Sequence, residues 1–116
     1  MQSCSDIRLI YSTFPDSASA TAAAREIVGA GLAACVNMWP GMRSLYCWEG
    51  KVEEGEEVVF LAKTTQARVE EAMARIAACH PFDEPAVIVV DVTAGRDSFL
   101  DWIRAQTGQG AVPPAG

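Results

Sequence analysis

The first apolar run, Ile7-Arg8-Leu9-Ile10-Tyr11-Ser12-Thr13-Phe14, is rich in β-branched and aromatic residues and stops at Pro15, which predicts a strand. The period then changes. Ala20, Ala23, Ala24, Ile27 and Ala30 recur at helical spacing, so a helix is predicted from Ser17 to Ala30, capped by Asp16 or Ser17 and left through Gly31. From Leu32 alternation returns: Cys35, Asn37 and Trp39 fall on one side, Ala34, Val36 and Met38 on the other. This second strand carries Pro40-Gly41, the signature of a bend or bulge on an edge, and resumes from Arg43 to Trp48 before Gly50 turns the chain. The return strand runs from Lys51 to Thr64 with an expected interruption at Gly55, so the pair forms a hairpin well beyond the usual strand length of about five or six residues.

A second helix, capped by Thr64 or Thr65, places Val69, Ala72, Met73 and Ile76 on one stripe and ends near His80, because Pro81 and Pro85 push their preceding residues out of the α region. Ala86 to Thr93 is a short apolar run of a strand covered on both sides. Ser98 to Gln106 closes the pattern as a helix with Phe99, Leu100, Trp102 and Ile103 as its apolar positions.

The order β-α-β-β-α-β-α predicts an α+β fold: a ferredoxin-like split β-α-β sandwich with a long bent β-hairpin and a C-terminal helix. Both long helices then cover one face of a single antiparallel sheet. Strands one, two and four nevertheless carry apolar side chains on both faces, more than a monomer ordinarily exposes. Other copies of the chain are expected to cover the second face, with the hairpin reaching a neighbour.

Length allows one domain, 7–106, flanked by an N-terminal tail, 1–6, and a flexible C-terminal tail, 107–116, rich in Gly, Pro, Ala and polar residues. The net charge of −6, with nine scattered Lys and Arg, excludes a phosphate-binding surface and hence a nucleic-acid partner. Cys4, Cys35, Cys47 and Cys79 form no C-x-x-C pair and read as reduced thiols. With neither a signal-peptide pattern nor a membrane-length apolar run, a cytoplasmic protein with no membrane partner is expected.

Candidate chemistry gathers at Cys79-His80-Pro81-Phe82-Asp83-Glu84-Pro85, which holds the chain's one histidine. An imidazolium at a helix C-terminus is favoured by the last carbonyls, so His80 reads equally as a cap or as a ligand. Cys35 reads as a small core residue or as a thiolate donor. Were His80, Cys35, Cys79 or Cys47, and Asp83 or Glu84 to converge within or between chains, the sulfur and imidazole set would suit copper or zinc. The acidic run Glu53-Glu54-Gly55-Glu56-Glu57 reads as a solvated hairpin face, and Trp48 and Trp102 as packing anchors. A Cys-His nucleophile pair is the enzyme alternative, but the chain offers no Gly-rich phosphate loop and no nucleophile elbow, so no catalytic residue is assigned.

Six ordered stretches, Ala33-Ala34-Cys35-Val36-Asn37, Pro40-Gly41, Tyr46-Cys47-Trp48-Glu49-Gly50-Lys51, Leu61-Ala62-Lys63-Thr64, His80 to Pro85 and Phe99-Leu100-Asp101-Trp102, closely resemble the CutA family of divalent-cation tolerance proteins. The resemblance covers about Ile7 to Arg104. It implies a homotrimer of ferredoxin-like subunits, similar in architecture to the PII signalling proteins, associated with tolerance to copper and other divalent ions. It also leaves open a PII-like sensor that binds a small ligand between subunits and signals to a partner. The long hairpin, with Trp39, Tyr46, Trp48, Glu49 and Gly50, is the expected subunit interface. Phe82 stands where the family usually has tyrosine, and Cys47 where an aromatic residue is common.

Overall fold

The structure, a computed structural model, describes residues 2–3 and 6–108. Its elements in chain order are β1 (Gln2–Ser3), β2 (Ile7–Phe14), α1 (Ser17–Gly29), β3 (Cys35–Trp48), β4 (Lys51–Thr65), α2 (Gln66–Cys79), β5 (Val87–Asp91), β6 (Ala94–Gly95) and α3 (Asp97–Gln106). The four long strands form one sheet in the order β3-β4-β2-β5, all pairs antiparallel. That is the predicted split β-α-β order, in which the second strand of each half lies at an edge.

Alternation along the strands divides their side chains between two faces. Ile10 and Phe14 of β2, Phe60 and Ala62 of β4, and Val36 and Val87 meet Ala20, Ala23, Ala24 and Ile27 of α1 and Ala72 and Ile76 of α2 in the main core. The small residues of α1 let that helix lie close against the sheet. Helix α3 covers only one end of the other face, where Leu100 and Ile103 pack on Ile7 and Ala34. Among the described elements no other covers that face, and Trp39, Ile88 and Val90 lie exposed on it.

The hairpin is longer than the sheet that supports it. β2 pairs with β4 only from Phe14 opposite Val58 to Ile7 opposite Thr65. Residues 42–57 therefore project as a two-stranded arm, joined by a two-residue turn in which Glu49 and Gly50 have φ of 51° and 78°. Both central residues at positive φ is the type I′ geometry that matches strand twist. At the root of the arm the register shifts between Trp39 and Met42, the bulge expected at Pro40-Gly41. Gly55, expected to interrupt β4, stays paired opposite Ser44, because a strand tolerates glycine where the partner backbone holds it in the ladder.

The chain ends correct the predicted tails. Gln2–Ser3 pairs with Ala94–Gly95. The backbone oxygen of Asp6 accepts from the Gln66 amide at 2.7 Å, while its carboxylate takes Nε and a terminal nitrogen of Arg104 at 2.8 and 2.9 Å. Residues 1–6 are therefore not a free tail over their described part. Thr107 is fully buried, with its hydroxyl donating to the Ile103 carbonyl and its own carbonyl accepting from Arg68 Nε. The fold thus extends past Gln106; the rest of the predicted C-terminal tail, 109–116, lies outside the described residues. Helix α2 starts after Thr65 as expected, but the Thr65 hydroxyl makes no capping bond.

Two outcomes follow from these contacts. Gly50→Ala forces a Cβ into the left-handed region and should cost about 1–2 kcal/mol in urea denaturation; an unchanged midpoint would contradict the turn geometry. The Arg104 hydrogen bond holds the Asp6 carboxyl below the usual carboxylate range. A depressed folded value means that its contribution is complete above the unfolded value near about 3.9 and is lost as pH falls through the folded one. The pair is partly exposed, so Asp6→Asn should cost under about 1 kcal/mol at neutral pH, and the gap from the parent should close in acid. A gap that widened in acid would overturn the assignment.

Candidate functional site

Pro81 ends α2 and leaves His80 with extended backbone, φ −78° and ψ 139°. The imidazole turns inward and is 8% exposed. Its Nε2 lies 2.7 Å from the Thr13 carbonyl oxygen, and its Nδ1 accepts the Phe82 amide at 3.0 Å. An amide can only donate and a carbonyl can only accept, so Nδ1 carries no proton and Nε2 carries one. The ring is therefore a neutral imidazole with both nitrogens used, where the sequence suggested an imidazolium cap. Its face lies 4.3 Å from the Phe14 ring, and Phe82 leans over it at 5.2 Å between centroids. His80 bolts the Pro81–Pro85 connector to the end of β2. Neither nitrogen is left to bind a metal in this arrangement.

The other expected ligands do not join it. Cys79, half-buried, packs against the main core, and Asp83 is exposed on the connector. Cys35 pairs across the ladder with Lys63, which pairs in turn with Leu9. The Thr13 carbonyl that holds His80 is four residues further along β2, roughly 13 Å at strand rise. Cys35 also points to the open face, whereas His80 stacks on Phe14 on the helix side. Among the described residues no three His, Cys, Asp or Glu side chains come together as a metal-holding group.

The open face instead holds a small polar group that the sequence reading did not assign. Lys63 Nζ lies 3.6 Å from Cys35 Sγ and also bonds Asn37 Oδ1. Cys35, Asn37 and Lys63 alternate with core positions on neighbouring strands, and the apolar Trp39, Ile88 and Val90 share their face. Cys35 is half-buried; Cys47 is exposed in the arm. The expected interface residues Trp39, Tyr46, Trp48, Glu49 and Gly50 are all exposed, and Leu45, Trp48 and Val52 in the arm are 73%, 63% and 76% accessible.

These features define a class: a small α+β subunit of split β-α-β topology with a projecting arm, one open apolar sheet face, and a Cys-Lys-Asn group on that face. The family model described as the CutA1 divalent ion tolerance protein matches residues 8–106. The chain is 36% identical over 100 residues to the divalent-cation tolerance protein CutA of Thermus thermophilus, covering 86% of this chain and 97% of that protein. It is 38% identical over 99 residues to the chloroplastic CutA of Arabidopsis thaliana; the match covers 85% of this chain but spans only 54% of the plant protein. The crystal structure of CutA from Xylella fastidiosa superposes with a TM-score of 0.86 at 42% identity, covering 89% of this chain and 99% of that one. CutA1 from Thermus thermophilus gives 0.85 at 35% identity, covering 88% and 99%. The chain belongs to the CutA family of divalent-cation tolerance proteins.

Removing the imidazole orphans a buried carbonyl and an amide and leaves a cavity against Phe14. His80→Ala should therefore lower unfolding stability by about 2–4 kcal/mol, read by urea denaturation, while copper affinity measured by calorimetry on the folded variant stays at the parent value. A stable variant that had lost metal affinity would make His80 a ligand after all.

Proposed function

We propose that the chain acts as a divalent-cation tolerance protein that binds copper or another divalent ion such as zinc in metal-ion homeostasis, as a homotrimer and without catalysing a reaction. The observation that carries this reading is the open face. It exposes apolar side chains that a second copy would cover, and it presents Cys35 where donors from a neighbouring chain can complete a set that the described residues of one chain do not form. A thiolate favours copper and zinc over magnesium and calcium. Exposed carboxylates such as Asp83 would have to come from a neighbouring subunit, since Asp83 and Cys35 do not meet within one chain.

The two-stranded arm supports the same assembly. A lone hairpin is marginal in water, and its exposed Tyr46 and Trp48 are of the residue types that dominate protein interfaces, with Leu45 and Val52 exposing further apolar surface.

Calorimetric titration with copper tests the metal reading. One site per chain, weakened more than tenfold by Cys35→Ser with unchanged far-UV circular dichroism, is the expected result; equal affinity in parent and variant would remove Cys35 from the site. In sedimentation experiments Trp48→Ala should weaken association well beyond Glu54→Ala. Equal effects would place the interface away from the arm.

A further inference from the structure

We propose that Cys35 and Lys63 form an oxidative modification site, at which peroxide joins Cys35 Sγ to Lys63 Nζ by a direct sulfur–nitrogen bond. The inference stands on the geometry of this pair and is independent of the metal reading.

The two residues lie directly opposite each other in the β3–β4 ladder, so their Cβ atoms are held about 5 Å apart. The backbone around them is fixed: the Lys63 carbonyl accepts the Ala34 amide at 2.8 Å. The lysine chain folds back over the strand, and its nitrogen reaches 3.6 Å from the sulfur, steadied by Asn37 Oδ1. Cys79, half-buried, packs against the core on the helix side, and Cys47 lies out in the arm. Among the described residues Lys63 Nζ is therefore the nucleophile in contact with Cys35.

A cysteine oxidised to sulfenic acid condenses with a thiol to a disulfide or with a backbone nitrogen to a sulfenamide, and the Lys63 amine is a nitrogen nucleophile already in contact with Cys35. Here sulfur attacks one peroxide oxygen, the O–O bond breaks, and Cys35 becomes a sulfenic acid with release of water. Lys63 gives up its extra proton to solvent, and the amine lone pair then attacks sulfur. The S–O bond breaks, the hydroxyl leaves with an amine hydrogen as a second water, and an S–N bond remains. Sulfur is oxidised by two electrons and peroxide is reduced by two. A thiol added later attacks the sulfur and releases the amine, leaving Cys35 in a mixed disulfide that a second thiol reduces to restore the parent side chains.

Such a link would lock the root of the long hairpin and withdraw the Cys35 thiolate from the open face. The test is mass spectrometry of the intact, assembled protein after limited hydrogen peroxide, followed by proteolysis. The expected product is a chain lighter by two hydrogens that resists cleavage after Lys63, joins the peptides holding Cys35 and Lys63, and reverts with dithiothreitol. Cys35→Ser and Lys63→Arg should each abolish it, the arginine keeping the charge but not the amine nucleophile. Circular dichroism on both variants checks that they fold. Persistence of the joined peptides in Lys63→Arg, conversion of Cys35 only to sulfinic acid, or a product in which Cys35 is bonded to another cysteine would each overturn the proposal.

Discussion

The arm formed by residues 42–57 has no third strand, because β2 ends at Phe14 opposite Val58. Much of the rest depends on this mismatch in strand length. Two strands alone hold poorly in water, and this pair carries tyrosine, tryptophan, leucine and valine outward. The helices cannot relieve the problem, since α1 and α2 pack on the other side of the sheet and α3 reaches only the end near Ile7. Within one chain the arm and the apolar residues of the open face stay exposed, and another copy of the same chain, as proposed, would cover both.

The same division of faces separates the chemistry. His80 is on the covered side, where a carbonyl and an amide fix its tautomer and aromatic rings enclose it. Its task is to hold the Pro81–Pro85 connector against β2. Cys35 is half-buried on the open side, with its sulfur beside Lys63 Nζ. Two residue types that suit a metal on paper are thus held apart by the sheet itself.

Much of the fold was legible because its signals are local. Alternation from Ile7 to Phe14, the alanine stripe of α1, the Glu49-Gly50 turn and the prolines around His80 each specify their own backbone. The polar group on the open face was not legible, for a reason that lies in the bulge. Counting back from the Trp48–Lys51 pair sets Cys35 opposite Thr64; the register shift between Trp39 and Met42 moves its partner to Lys63. A one-residue slip exchanges the faces of a strand, so no count of spacings reveals which side chain Cys35 meets. His80 was misjudged for a related reason. Its place at the end of α2 was clear, but the Thr13 carbonyl that accepts its Nε2 hydrogen bond comes from 67 residues away. The described ends were misread as tails because their anchors, Arg104 for Asp6 and Arg68 for Thr107, also lie far away in sequence, 98 and 39 residues off.

The central claim is that the open face and the arm are completed by other copies. Light scattering coupled to size exclusion at micromolar concentration tests it most directly. The account predicts a single species with the mass of three 12.4 kDa chains, unchanged on dilution through the micromolar range. A stable species with the mass of one chain would contradict it.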